Sequence, residues 1–135
     1  MYRLFLDANE LFTAAHNPDG KAAFLFDAPG QSAWILLASA HAIEEAQRNI
    51  TAKYPHCEAR LKTLVRGLTR VAQPGPSPIP IRLPEKDEPI FLAARAARAT
   101  HLLTGDLKHF GAAMNKPHLS NGIVIQTVAD FLASL

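Results

Sequence analysis

The amino-acid sequence predicts an α/β fold, a three-layer α/β/α sandwich around a central, mainly parallel sheet of four to five strands. Three observations carry this. Short apolar, β-prone runs alternate with segments of helical periodicity, the signature of βαβ units. Those runs lack strict apolar–polar alternation, as strands covered on both faces do. The length of 135 residues, 48% of them hydrophobic, fits one domain spanning residues 1–135 with a sizeable core.

Taken in order, Leu4–Leu6 reads as a first strand ending at Asp7, and Trp34–Leu37 as a second ending near Ser39. His101–Thr104 is a later strand stopped by Gly105-Asp106. Ile123–Ile125 is the last, followed by a terminal helix starting at Thr127. Between them, Leu61, Leu64, Val65, Leu68 and Val71 recur at helical spacing. Residues 86–99 form an alanine-rich helix with Pro89 in its first turn, where a missing N–H costs nothing. Gln73–Pro84 holds five of the ten prolines. It reads as a stiff extended connection leading into a strand around Ile79–Arg82. Pro80 cannot donate to a ladder on both sides, so that strand is expected at a sheet edge.

Composition excludes several classes. Cys57 stands alone, which rules out a disulfide framework and cysteine-based zinc ribbons and makes a reducing, cytoplasmic setting the expectation. Asp7 and Glu10 interrupt any secretory apolar run, and Ala33–Ala38 is far short of the ~20 residues that span a bilayer, so no membrane association is expected. The net charge of +2 is unevenly spread. Arg48, Lys53, Arg60, Lys62, Arg66 and Arg70 face the single acid Glu58 within 48–70, a basic stretch able to attract a polyanion or simply to form a solvated helix face.

The acids are the informative residues. Asp7 and Asp106 each fall where a parallel strand ends, and the carboxyl ends of such strands form the rim at which ligands bind. Either aspartate alone would serve equally as a helix N-cap. Asp87 lies in the first turn of its helix with Ile90, Phe91 and Ala94 following on the same stripe, so it faces the core, which the helix dipole does not explain. Glu44 and Glu45 point about 100° apart, so one of them faces the rim. Glu45 shares its side with Ala42 and Asn49. Carboxylates gathered at low dielectric repel one another, and a hard divalent cation, Mg²⁺ or Mn²⁺, is the usual offset.

With the residues so arranged, the chain resembles the PIN-domain family of metal-dependent ribonucleases, which includes the VapC-type toxins of bacterial type II toxin–antitoxin pairs. The resemblance rests on LFLDAN at 4–9, the Ser39-to-Glu45 spacing, KDEPIFLAA at 86–94, LLTGDLKHFG at 102–111 and the ending GIVIQTVADFL. It implies a PIN-like sandwich and an acidic quartet of Asp7, Glu45, Asp87 and Asp106 that holds Mg²⁺ or Mn²⁺ and carries catalysis. Asn9 and Thr104 would be supporting polar residues. It also implies an endoribonuclease acting on single-stranded or structured RNA, leaving a 3′-hydroxyl and a 5′-phosphate. A cognate antitoxin with a basic side chain for the acidic pocket and a homodimer are implied as well. Asp130 resembles a structural aspartate of the terminal helix. One departure stands out: many members carry another acid two to three residues after TGD, where this chain has Lys108 and His109. That loss is the one feature favouring the alternative, a PIN-like non-catalytic module binding RNA or protein.

Overall fold

A computed structural model describes residues 1–27 and 33–135. Five strands form one all-parallel sheet: β1 (Tyr2–Leu6), β2 (Trp34–Ser39), β3 (Thr69–Val71), β4 (His101–Leu103) and β5 (Val124–Gln126), in the order β3-β2-β1-β4-β5. The described helices are α1 (Ala8–His16), α2 (Lys21–Asp27), α3 (Ala40–Lys53), α4 (Glu58–Arg66), α5 (Glu88–Ala96), α6 (Leu107–Phe110) and α7 (Val128–Ala133). None of them is long and apolar enough to cross a membrane.

Successive strand residues point to opposite faces, and this period of two divides the core. Leu4, Leu6, Leu36, Ala38 and Leu103 pack on one face with Leu11, Leu25, Ile43, Ile50 and Phe131. Phe5, Leu37, Leu102 and Ile125 pack on the other with Phe91 and Phe110. Each such buried leucine, isoleucine or phenylalanine contributes roughly 1.5–3 kcal/mol, so neither helical layer is dispensable.

The strand order places the site. The chain leaves β1 toward β2 and β3, then returns across β1 to β4 and β5, so its direction reverses between β1 and β4. In open parallel sheets ligands bind in the crevice at such a reversal. The register pairs Leu6 with Leu103 and Phe5 with Leu37, which brings Asp7, Ser39 and Thr104 to one level at the carboxyl rim. At the opposite rim, the Arg3 guanidinium donates to the carbonyls of Ala97 and Arg98 and so ties down the end of α5. That tie fixes α5 against β1.

Two expectations need correction. The helical pattern through Val71 stops at Arg66; Gly67 follows as the C-cap, and Thr69–Val71 is the edge strand, pairing with Leu37–Ser39. The i, i+3, i+4 apolar spacing runs on past the true helix end, and pairing with β2 overrides it. The predicted strand at Ile79–Arg82 does not form. Ile79, Ile81 and Leu83 do alternate inward against the second core, but the segment joins no ladder. Four prolines at 74, 76, 78 and 80 remove the N–H groups a ladder requires. Arg95 and Gln73 instead hold this strap to α5, through Pro78 O at 2.9 Å and Pro89 O at 3.1 Å.

Candidate metal centre

Asp7, Glu45, Asp87 and Asp106 line one cleft of about 230 Å³, together with Asn9, Ser39 and Lys86. Each acid arrives from a different element. Asp7 ends β1 and caps α1, Glu45 projects from α3, Asp87 stands at the start of α5, and Asp106 follows β4 and caps α6. Of the adjacent pair, Glu45 lines the cleft, whereas Glu44 is exposed beside Arg48 on the outer side of α3.

Capping and site geometry coexist in Asp7. Its Oδ1 accepts from Ala8 N at 2.7 Å, while its Oδ2 accepts from Thr104 Oγ1 at 2.9 Å. Thr104 is fully buried and also accepts from Asp106 N at 3.1 Å. One hydroxyl therefore sets the spacing of both rim aspartates. Burial pushes the Asp7 carboxyl above its ordinary value; the Thr104 and Ala8 hydrogen bonds oppose that, and the charges of Glu45 and Asp106 reinforce it.

Asp106 behaves oppositely. What burial it has works to raise its pKa, but hydrogen bonds from the His109 ring and backbone, with the charges of His109 and Lys86, hold it below the usual carboxylate range. His109 Nδ1 lies 2.7 Å from Asp106 Oδ2 and 3.1 Å from Asp87 Oδ2. A single N–H cannot point at both oxygens. The hydrogen-bonded contact is the one to Asp106, and Asp87 Oδ2 is left buried without a hydrogen bond. Nor does Asp87 cap α5, since its side chain accepts nothing from the helix start. The inward position read from the stripe of α5 is thus real, and no local structural role uses the carboxylate.

Asp87, Asp106 and His109 each offer a ligand atom within 4.8 Å of the others. Asp7 and Glu45 share the cleft without joining that close group. The donor set fits a divalent cation: oxygens from several carboxylates, one of them a buried oxygen without a hydrogen bond.

Two neighbours were not assigned from the sequence. Glu10, one turn beyond Asp7, has its pKa pushed up to about 7 by burial and by the Asp7 charge, with the Gly105 backbone opposing. A Cβ at Gly105 would stand 3.4 Å from Glu10 Oε1, so the TGD turn and Glu10 are in contact. The Asp-x-x-Glu spacing of Asp7 and Glu10 is a signal that could have found it. Lys86 is the lysine on the cleft. None of the six bases between 48 and 70 lines it among the described residues. Two are engaged elsewhere: Arg60 Nε donates to Ala14 O, and Lys53 lies over the Phe12 ring. Asp130 is structural, its Oδ2 accepting from Asn115, which in turn accepts from Gln126 at the end of β5.

Comparison with solved structures decides the architecture. The chain superposes on a chain of VapBC2 from Rickettsia felis, solved bound to a DNA fragment from their promoter. The TM-score is 0.66 at 12% identity, covering 93% of this chain and 98% of that one. The fold is a PIN-like sandwich. At that identity the likeness is one of fold, and it agrees with the resemblance carried by the sequence motifs. No protein-family model and no curated protein matches the chain.

Proposed function

We propose that this chain is a Mg²⁺- or Mn²⁺-dependent endoribonuclease, the cytoplasmic toxin of a type II toxin–antitoxin pair. The observation that carries the reading is the convergence of four acids from four separate elements on one cleft at the reversal point of a parallel sheet. Structural needs do not account for it, because Asp87 caps nothing and Asp7 stands at a raised pKa.

Asp7, Glu45, Asp87 and Asp106 would hold the cation. When bound, it supplies neutralisation of phosphate charge and a water acidic enough to attack at neutral pH. Thr104 keeps Asp7 and Asp106 in place through its single hydroxyl. Lys86 offers an ammonium to a backbone phosphate, a contact that positions RNA without reading its sequence. Asn9, exposed at the mouth, can orient a water or a ribose hydroxyl. An antitoxin would block the cleft by presenting a basic side chain to these carboxylates, and VapBC2 supports such a partner by its likeness in fold. A homodimer belongs to the same reading.

The test is cleavage of a single-stranded RNA oligonucleotide with Mg²⁺ or Mn²⁺. Products bearing 5′-phosphate and 3′-hydroxyl are expected, and both Asp7→Asn and Asp106→Asn should abolish them in chains whose circular dichroism is unchanged. Cleavage that persists in the double variant sinks the assignment. The non-catalytic alternative draws on His109, whose ring stands 3.1 Å from Asp87 and 2.7 Å from Asp106 where many members carry an acid; metal-independent RNA or protein binding without cleavage would favour it.

A further inference from the structure

The position of His109 carries a consequence for the identity of the metal. We infer that His109 is itself a metal ligand through Nδ1, and that the centre formed with Asp87 and Asp106 selects a transition cation such as Mn²⁺ over Mg²⁺. This rests on the metal-dependent reading above and deepens it.

Three observations support it. His109 Nδ1 is the ring atom turned into the site, 2.7 Å and 3.1 Å from two carboxylate oxygens belonging to different elements. Those three ligand atoms form a close triangle with edges under 4.8 Å, the span across which a cation bonded to all three would sit. Asp87 is more than nine-tenths buried, and its Oδ2, aimed at that triangle, has no hydrogen-bond partner. Leaving a buried acceptor without a hydrogen bond is costly, so a fold that keeps one beside two other ligand atoms has a use for it. A cation bound at Nδ1 would take the tautomer whose hydrogen is on Nε2, and it would give the Nδ1 lone pair and the Asp87 oxygen a common partner.

Selectivity follows from ligand type. Mg²⁺ demands an octahedral shell of oxygens and gives up its waters reluctantly. Imidazole suits first-row transition cations best from Fe²⁺ onward, and Mn²⁺, which shares the preference of Mg²⁺ for carboxylates, is the softer of the two and the less averse to a nitrogen. One nitrogen among the oxygens therefore disfavours Mg²⁺ relative to Mn²⁺ without excluding it. The helix that presents the ring is held by Asp106, whose Oδ1 accepts from His109 N at 3.1 Å, so ligand and ring orientation are set together.

Electron spin-echo measurements on the full chain with Mn²⁺ alone test this directly. Wild type should show ¹⁴N coupling to the bound ion that changes when histidine is ¹⁵N-labelled. The coupling should vanish in His109→Gln and persist in His41→Gln, His41 being the histidine that lines the cleft itself. By calorimetry, His109→Gln should weaken Mn²⁺ binding by about 10–100-fold while changing Mg²⁺ binding less, and His109→Asp should narrow the preference for Mn²⁺. Absence of nitrogen coupling in the wild type overturns the inference, and because it needs no variant, a misfolded His109→Gln does not shield it. RNA cleavage that still depends on Asp7 would then leave the ribonuclease reading standing, whereas nitrogen coupling in a protein without cleavage would remove that reading and keep the ligand.

Discussion

Asp7 and Asp106 occupy equivalent places, each just past the end of a parallel strand and each capping the helix that follows, yet their acidities move in opposite directions. Asp7 is buried among other carboxylates and is pushed up; Asp106 is more open, pairs with His109 and is pulled down. The shared Thr104 hydroxyl gives both the same spacing and cannot account for the difference. Burial and the neighbour that another element supplies decide it. One centre thus has a side buried among carboxylates and a more open side hydrogen-bonded to an imidazole.

The strongest way to break the comparison is to remove one charge at a time. Asp7→Asn and Asp106→Asn should each abolish RNA cleavage, a larger effect than the ~10–100-fold that losing an outer partner of a metal ligand costs. If only one matters, the two sides are not one centre. Next in size, Thr104→Val keeps the shape but leaves Asp7 Oδ2 and the Asp106 N–H without a partner. It should destabilise the chain by about 1–3 kcal/mol in denaturant titration, and no loss would mean water replaces the hydroxyl.

Proton linkage sharpens the same contrast. The folded chain keeps a proton on Glu10 up to about pH 7, whereas the unfolded chain releases it near 4.5. Between those values the folded state binds more protons, so metal-free stability falls as pH rises. Glu10→Gln should therefore raise Tm at pH 7.5 in the absence of metal and leave it nearly unchanged at pH 4.5. The smallest effect is the difference between the two rim aspartates. The raised Asp7 contributes stability that is lost as pH rises above its unfolded value of 3.8. The lowered Asp106 contributes stability that is present above 3.8 and lost as pH falls through its folded pKa. Tm–pH curves of wild type minus Asp7→Asn and wild type minus Asp106→Asn should slope oppositely, and parallel curves would contradict the assigned causes.

Much of this was legible along the chain. LFLDAN and LLTGD announce apolar strands that stop at an aspartate, and the residues that define each signal are neighbours. The inward side of Asp87 could be read because Ile90, Phe91 and Ala94 lie within two turns of it. Where reading failed, the deciding partner was distant. Thr69–Val71 continues a helical apolar spacing and becomes a strand only because β2 offers its edge. Ile79, Ile81 and Leu83 keep the alternation of a strand, while the prolines beside them deny it a ladder.

By itself, then, the sequence determined the layer architecture, the strand ends and which acids stand on them, since hydrophobic period, helix starts and turn residues act over a few positions. Only the tertiary structure decided that His109 stands between Asp87 and Asp106, that Glu10 is half-buried against the Gly105 turn, and that Lys86 is the lysine on the cleft. Acidity and ligand geometry depend on what burial removes from water and on which groups other elements bring within about 3–5 Å, and that proximity exists only once β1 and β4 lie side by side.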